Sequence, residues 1–465
     1  MATINAEREA PWAGRAPSPV LALRRAPFVE PLGPSELERL LAAVRRLLEE
    51  AGVRFPDPAT PTPLNLAGRD PACDLLVDDS AGWLALGGPA AEVVDPETDR
   101  RRPGTIGDVE AAARLADALP QVGVVSAPVR ALDVPEPSRA LHEVLALLAN
   151  TTKHVQAEVP SDAGVATALR EIALVAAGRT DALRARPVLS VVLPVGPDLV
   201  PEPPRLRAAT TLAAAGIPVV LLAEPELGRT APSTLAGALV SALAQVLGAA
   251  SALRGRVPEA RVLLGTRALR TPIDGRAVPA GSHALRFQMA WVQVAGRLGL
   301  PCLVEAFATG APASDWQAGM EGGLGATAAW MATPDVLAGA GLRGGGDLFS
   351  PVGLLLDTEA FDIVRPIPLG FAVDEDALAI EVIERVGPGG HYLGEPHTLR
   401  HMRETWASRF MDRSTWEAWE EAGRPEPPDH ARERARALLA EHRPTPLAPE
   451  VEAAIRQVIA AHERR

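Results

Sequence analysis

Short apolar segments rich in β-branched residues recur along the chain, and each is separated from the next by a stretch with helical periodicity. Their starts fall 29 to 44 residues apart, which is the spacing of a strand followed by a crossover helix. This repetition predicts a parallel sheet covered by helices. The segments are residues 122–126, 153–159, 188–193, 217–223, 261–264, 302–307 and 335–338.

Six or seven strand–helix units predict an α/β protein with a (β/α)8 TIM barrel. An open, doubly wound sheet is the structural alternative. The eighth strand is not apparent in the sequence. We assign residues 1–34 to a tail, 35–120 to an N-terminal extension of helical and β segments, 121–349 to the barrel core, and 350–465 to C-terminal helices packed on the barrel.

Charge and cysteine content exclude several classes of protein. The net charge is -12, and the absence of a run rich in arginine argues against a nucleic-acid partner. An acidic surface tolerates cationic small molecules. Cys73 and Cys302 are the only cysteines, so neither a disulfide scaffold nor a cysteine-based zinc site is expected.

The N-terminal segment is charged and rich in proline, without the apolar core of a signal peptide. We therefore expect a cytoplasmic protein. Residues 235–253 form an uncharged run about long enough to span a bilayer. Its alanines, serines and Gln245 make it only weakly hydrophobic, so the run predicts a buried helix and no membrane partner.

The segment 153–159 alternates apolar and polar residues. In a barrel its apolar side chains must face the surrounding helices, which leaves His154, Gln156 and Glu158 facing the lumen. Polar groups in a packed aliphatic lumen would stay unsatisfied, so the pattern predicts a hydrated or ligand-filled mouth. Glu158 lies nearest the C-terminal end of the strand, where barrel enzymes place their chemistry. The outward set is Val155, Ala157 and Val159.

Two further strands carry carboxylates at or near their C-terminal ends: Glu224 follows residues 217–223, and Glu305 lies within 302–307. Acids gathered around one mouth repel each other unless a cation or proton is bound there. The pattern therefore predicts a cationic substrate. The alternative is that each glutamate is exposed or paired with an arginine.

The chain contains a single lysine, Lys153, among 46 basic residues. It lies at the N-terminal end of its strand, and its side chain is expected on the same outward face as those of Val155, Ala157 and Val159. The pattern favours a structural or rim position for this residue over a catalytic one.

Aromatic and histidine residues near the later strands offer two more kinds of site. Phe307 and Trp316 are aromatic faces for an alkylammonium group, with Asp315 and Gln317 beside Trp316 in sequence. Three histidines follow much later: His391, His397 and His401. The last two lie four residues apart and share one face of a helix, so zinc is an alternative to hydrogen-bonded packing.

Four segments of the chain have the character of family motifs. They are NTTKHVQ (150–156), GIPV followed by GRTAPSTLAG (228–237), SDWQAGME (314–321) and VGPGGHYLGEPHTLRHMRE (386–404). Together they resemble the trimethylamine methyltransferase family. The resemblance implies a barrel enzyme that moves a methyl group from an N-methylated amine to the Co(I) of a corrinoid (cobalamin) carried by a partner protein. The chain has only standard residues, as in the non-pyrrolysine branch, which favours quaternary amines such as glycine betaine. Lys153 belongs to this family pattern, with its role open.

From the residue pattern and the resemblance together we predict a methyltransferase that acts on a small cationic methylated amine. We expect a homo-oligomer with a corrinoid-binding partner and with no cofactor or metal bound tightly to this chain. The alternatives are a diverged, non-catalytic binder of cationic small molecules and a metal-assisted hydrolase or lyase that uses the late histidines. The predicted catalytic residues are Glu158, His154 and Glu305, and the predicted substrate-binding residues are Gln156, Glu224, Phe307, Asp315, Trp316, Gln317 and His391.

Overall fold

The computed structural model describes residues 29–55, 64–77, 82–273, 276–279, 281–367, 370–402 and 408–464. Most of the predicted tail, residues 1–28, lies outside the described residues. The strands are β1 (Leu64–Leu66), β2 (Leu75–Val77), β3 (Trp83–Leu86), β4 (Glu92–Val94), β5 (Arg101–Pro103), β6 (Val122–Ser126), β7 (His154–Glu158), β8 (Leu189–Val195), β9 (Val219–Ala223), β10 (Val262–Thr266), β11 (Arg270–Ile273), β12 (Arg276–Pro279), β13 (Cys302–Glu305), β14 (Val336–Ala340), β15 (Leu342–Arg343) and β16 (Leu348–Phe349).

Helices follow most of the longer strands, as the spacing of the apolar segments predicts. They are α1 (Pro34–Glu50), α2 (Ile106–Ala118), α3 (Arg139–Asn150), α4 (Ala163–Ala177), α5 (Thr180–Ala185), α6 (Pro203–Ala214), α7 (Leu235–Arg254), α8 (Ser282–Arg297), α9 (Trp316–Met331), α10 (Pro351–Val364), α11 (Glu375–Leu378), α12 (Ile380–Val386), α13 (Pro396–His401), α14 (Trp416–Glu421), α15 (Pro427–Glu441) and α16 (Pro449–Glu463).

Eight strands close into a parallel barrel in the order β3-β6-β7-β8-β9-β10-β13-β14. The predicted TIM barrel is confirmed, and the doubly wound alternative is wrong. The strand that the sequence did not reveal is β3, which lies inside the range assigned to the N-terminal extension. The barrel therefore begins at residue 83 rather than at 121. With only four residues and short β segments on either side, β3 has no periodicity that marks it as a barrel strand.

The barrel strands alternate between two separate apolar cores. Val155 and Val159 pack in the core between the strands and the helices, with Ala157 partly buried against it, which confirms the predicted outward set. Residues of opposite parity, such as Val220, Leu263 and Leu303, pack in a second core inside the lumen. This division is the direct result of the two-residue side-chain period of a strand.

A β-hairpin of β1 and β2 fills the lower part of the lumen. Its apolar side chains Leu64, Leu66, Leu75 and Val77 join the lumen core. The Ala67 amide donates to the Pro187 carbonyl at 3.0 Å, just before β8 begins, so the hairpin enters from the N-terminal end of the strands. The C-terminal end of the lumen is the part that the hairpin leaves open.

Among the described helices, α7 is the one that is long and apolar enough to cross a membrane, judged by length and composition. It packs against α1 and β9, and 61% of its most apolar stretch is buried inside the protein. The predicted buried helix is confirmed.

Lys153 caps the C-terminal end of α2. Its Nζ donates to the carbonyl oxygens of Ala116 at 2.8 Å and Leu119 at 2.5 Å. The same two carbonyls also accept from the backbone amides of Leu119 and Val122. Burial lowers the pKa of Lys153 to about 8, and the nearby Asp117 carboxylate partly offsets this effect. The residue is structural, as its strand position indicated, and a compact ammonium fits between two carbonyls where a planar guanidinium does not.

The C-terminal helices differ in how they are held. α15 packs on α2 and α10, and α16 packs on α3 and α4, in agreement with the prediction that helices decorate the barrel. By contrast, α11, α12 and α13 contain no buried residue. We call residues 370–402 the C-terminal arm.

Replacing the lysine tests its capping role. Lys153→Met keeps most of the buried stem but removes the ammonium hydrogen bonds to two carbonyls, each of which keeps one backbone amide donor. We therefore expect the free energy of unfolding to fall by about 2 kcal/mol. Arg256 Nη1 also donates to a helix carbonyl, that of Ala252 at 2.8 Å, but on the exposed surface. Arg256→Met is the matched control, with an expected loss below about 0.5 kcal/mol. Urea unfolding followed by circular dichroism measures both, and equal losses would refute the capping role.

Candidate active site

A cavity of about 1090 Å³ opens at the C-terminal ends of the barrel strands. Its floor includes Gln156 and the apolar side chains of Val220, Leu222 and Leu303. Its outer wall comes from the loops after β3, β6 and β7, and from the end of α16. The aliphatic lumen core thus stops below a mouth that contains polar groups, as the alternation along β7 predicts.

Glu305 is the most heavily bonded carboxylate of the mouth. It is buried at the end of β13 and accepts hydrogen bonds from Arg267 Nη1 at 3.1 Å, Arg270 Nη2 at 3.2 Å and the Ala268 amide at 3.0 Å. Burial alone raises the pKa of Glu305, but the two arginines and the amide outweigh burial, and the pKa lies below its ordinary value. Glu305 is therefore ionised and positions the arginines. Its charge is balanced by Arg267 and Arg270, so it is not available to hold a cationic substrate as the predicted catalytic role required.

Gly339 makes room for this carboxylate. It lies in β14 with a φ of 96°, a backbone conformation that favours glycine. A Cβ atom built on it would lie 3.0 Å from Glu305 Cγ. The strand thus approaches the glutamate more closely than a larger residue would allow.

Arg267 joins the three glutamates that the sequence placed at the mouth. It forms ion pairs with Glu224 and with Glu305. Burial tends to lower the pKa of Arg267, but Glu305, Glu224 and Glu158 together raise it above its ordinary value. The structure therefore brings the three carboxylates together, and the cation that relieves their repulsion is an arginine of the chain. The inference that a cationic substrate must neutralise all three is wrong, and Glu224 is held by Arg267.

Glu158 differs from the other two glutamates. Its side chain is 40% exposed and lines the cavity, and its ion contact, with Arg130 Nη2, spans 3.9 Å. Such a contact is weak in the presence of solvent. Glu158 is the mouth carboxylate that retains capacity for an incoming cation.

His154 lies too deep to take part in chemistry at the mouth. Its ring is fully buried, with Nδ1 3.0 Å from the Ala67 carbonyl oxygen and Nε2 2.8 Å from Ser190 Oγ. Burial lowers its pKa to about 4. The predicted catalytic role is wrong because both ring nitrogens are engaged at the hairpin end of the barrel. Gln156 lies two residues closer to the C-terminal end of β7. It donates to the same Ser190 hydroxyl at 3.2 Å and also lines the cavity.

The residues predicted after β13 do not reach the cavity. Phe307 is fully buried beside Gly322 of α9. Asp315 accepts from the Ala318 amide at 3.1 Å and caps the N-terminus of α9. Trp316 is 78% exposed, and Gln317 donates to Glu321 at 3.0 Å along the same helix. These assignments are wrong because a strand end is followed here by an N-cap and a surface helix rather than by a substrate loop.

The late histidines lie on the C-terminal arm and not on the cavity wall. His391 is exposed there, so its predicted substrate contact is wrong. His397 and His401 approach Asp376, and the three form a group that could hold a metal ion. Because none of them lines the cavity, the alternative of a metal-assisted hydrolase with these histidines at its active site loses its basis.

The sequence reasoning missed Arg267, Arg130 and Glu143, which all line the cavity. Arg267 directly follows β10, so a search for polar residues after each barrel strand would have found it. Glu143 lies on α3 and accepts from the Ala131 amide at 2.9 Å. Burial raises its pKa despite that bond and the nearby Arg130. Its helical position gives no sequence signal.

A closed parallel barrel with convergent charged groups at the C-terminal mouth defines a TIM-barrel enzyme. The family model described as trimethylamine methyltransferase (MTTB) matches residues 59–465. The chain belongs to this family and is a methyltransferase, which confirms the resemblance seen in the four segments.

Individual relatives agree with the family match. A trimethylamine methyltransferase MttB of Desulfitobacterium hafniense is 30% identical, over 86% of this chain and 81% of the relative. A glycine betaine methyltransferase of another strain of that species is 27% identical, over 86% and 84%. Among solved structures, a hydroxylamine complex of MtmB aligns with a TM-score of 0.51 at 10% identity, over 90% of this chain and 89% of that one. This last likeness concerns the fold alone.

The buried histidine predicts a specific dependence of stability on pH. The unfolded chain binds a proton at His154 near its ordinary pKa of 6.5, whereas the folded protein binds it only near pH 4. Stability is therefore complete above pH 6.5 and is lost as the pH falls toward 4. Between pH 7 and pH 5 we expect His154 to cost about 2 kcal/mol. Urea midpoints at both pH values should show a smaller pH effect in His154→Gln than in the wild type; an identical pH effect would contradict the assignment.

Removing the charge of Glu305 should destabilise the mouth. Glu305→Gln leaves two partly buried arginines short of a counter-charge, and we expect a loss of about 3–5 kcal/mol in the free energy of unfolding. Glu452 pairs with Arg456 at 2.6 Å on the exposed face of α16, so Glu452→Gln is the control, with an expected loss of at most about 1 kcal/mol. Comparable losses in thermal unfolding experiments would show that the Glu305 network is not structural.

Proposed function

We propose that this enzyme transfers a methyl group from a quaternary methylated amine that also carries a carboxylate, such as a betaine, to the corrinoid of a partner protein. The observation that carries the proposal is the presence, in one cavity, of a weakly engaged carboxylate, Glu158, and a partly buried arginine, Arg267. A zwitterionic substrate has the complementary charges. The glycine betaine methyltransferase among the relatives supports this substrate class.

The cationic end of the substrate binds toward Glu158. A quaternary ammonium cannot donate a hydrogen bond, so its attraction to the carboxylate is purely electrostatic and strengthens as water leaves the cavity. Among the residues described, the cavity wall contains no phenylalanine, tyrosine or tryptophan. The predicted aromatic enclosure is therefore replaced by a carboxylate above an aliphatic floor of Val220, Leu222 and Leu303, on which the methyl groups pack.

The carboxylate end of the substrate binds toward Arg267 and Arg130. Arg267 is already held by Glu305 and Glu224, so its guanidinium is fixed before a substrate arrives. Fixed charges of this kind favour binding because no further ordering is required. The cavity is larger than a betaine, which leaves space above the ammonium for a group brought by a partner.

The reaction itself requires little acid–base chemistry from the chain. When the N–CH3 bond breaks, its electron pair stays on nitrogen and a neutral amine leaves, so no group has to protonate it. The corrinoid supplies a Co(I) nucleophile that accepts the methyl group. The residues of the chain hold the substrate in line with the opening of the cavity and exclude water from the methyl group.

Glu158→Gln tests the binding role. The substrate loses its positive charge as the methyl group leaves, so Glu158 stabilises the bound substrate more than the transition state. We expect the KM for glycine betaine to rise at least about tenfold, with a smaller change in kcat. The assay measures demethylation with free reduced cobalamin, in parallel with trimethylamine and choline, which lack the carboxylate and should react more slowly.

Glu171→Gln is a matched control, because Glu171 is 48% exposed and faces an arginine at 4.0 Å on the surface of α4. It should leave KM and kcat unchanged. An equal effect of both variants would contradict the role of Glu158. If calorimetry detects betaine binding to the wild type while no methyl transfer occurs, the chain is the non-catalytic binder considered above, and the proposed function is wrong.

A further inference from the structure

The C-terminal arm brings together three side chains of types that bind metal ions. Asp376 lies in α11, and His397 and His401 lie four residues apart in α13. One ligand atom of each lies within 4.8 Å of the others. This arrangement joins parts of the chain that are 21 and 25 residues apart.

The two imidazoles converge on the same aspartate. His401 Nε2 lies 3.0 Å from Asp376 Oδ2, and His397 Nε2 lies 2.9 Å from the Asp376 backbone oxygen. The ring centroids are 4.3 Å apart. A tetrahedral zinc ion with bonds of about 2.0–2.2 Å holds neighbouring ligand atoms about 3.3–3.6 Å apart, and the ligand atoms of this group all lie within 4.8 Å of one another. Small rotations of the two rings would exchange the hydrogen bonds for coordination.

Arg400 orients the carboxylate of this group. Its Nη2 donates to Asp376 Oδ1 at 2.8 Å, which leaves Oδ2 on the side of the histidines. Carboxylates that bind a metal ion commonly accept a hydrogen bond from a residue outside the ligand group, which holds the other oxygen toward the ion. The arginine therefore fixes the geometry and does not occupy the coordinating oxygen.

The arm buries little apolar surface, and its described helices are joined by polar contacts such as the ion pairs Arg400–Asp376 and Arg385–Glu395. α11, α12 and α13 have no buried residue, and Phe371 and Leu393 are 89% and 80% exposed. Short segments that bury too little apolar surface are commonly stabilised by a structural metal. The ligand group lies between the first and last helices of the arm, where one ion would connect both.

We propose that Asp376, His397 and His401 form a zinc site that fastens α13 to α11, with water completing the tetrahedral coordination. Two imidazoles and a carboxylate suit Zn²⁺ better than Mg²⁺ or Ca²⁺, which prefer oxygen ligands alone. The three residues do not line the barrel cavity, so the role of the ion is structural. The site does not depend on the proposed methyl-transfer function.

Metal binding is tested on the full chain, produced without a histidine tag and stripped with EDTA. Calorimetry with ZnCl2 should detect binding to the wild type, and Co²⁺ should give the visible absorption of a tetrahedral complex. The variant with both His397→Ala and His401→Ala should bind Zn²⁺ at least about tenfold more weakly. Asp376→Asn should weaken binding in the same direction. His391→Ala is the control, because His391 lies on the same arm outside the group.

A second measurement reports on the arm directly. Zn²⁺ should slow proteolytic cleavage within residues 370–402 of the wild type and of His391→Ala, and EDTA should reverse the protection. The double variant should be cleaved at one rate with or without Zn²⁺. The proposal is overturned if the wild type takes up no Zn²⁺, or if the double variant, with unchanged circular dichroism, binds and is protected as well as the wild type.

Discussion

The structure depends on how an eight-stranded parallel barrel fills its lumen. The β1–β2 hairpin supplies leucine and valine side chains to the N-terminal half, so that half is an apolar core in which a polar group must find a partner inside the protein. His154 meets this requirement through Ala67 and Ser190. The charged side chains that line the cavity lie at the C-terminal half. The chemistry is therefore restricted to one end of the barrel by packing, before any residue at the mouth is considered.

At that end, electrostatic balance decides the role of each glutamate. Arg267 and Arg270 neutralise Glu305, and Arg267 also holds Glu224. What remains is an arginine in a fixed position and a carboxylate, Glu158, with a long and weak ion contact. This arrangement of charges complements the zwitterionic substrate that we propose.

Parts of this arrangement follow from local sequence. Alternation along β7 places Gln156 and Glu158 on the lumen side because the side-chain period of a strand is two. The position of Lys153 at the opposite end and on the opposite face follows in the same way. By contrast, β3 was not predicted, because four residues are too few to show the alternation of apolar and polar side chains that marks a strand. Phe307 and Trp316 were misplaced because their direction depends on where α9 packs.

By itself, the sequence determined the spacing of most of the strand–helix units, the polar face of β7, the gathering of glutamates at the strand ends and the family. These depend on periodicity and on residue type, which are local properties. Tertiary structure alone decided which mouth carboxylate is only weakly engaged, that a hairpin fills the lower part of the lumen, and that the late histidines meet Asp376 outside the cavity. Each of these depends on contacts between residues that are distant in the chain. The interaction energy of a charged group or a hydrogen bond is set by such neighbours and not by the position of the residue in the sequence.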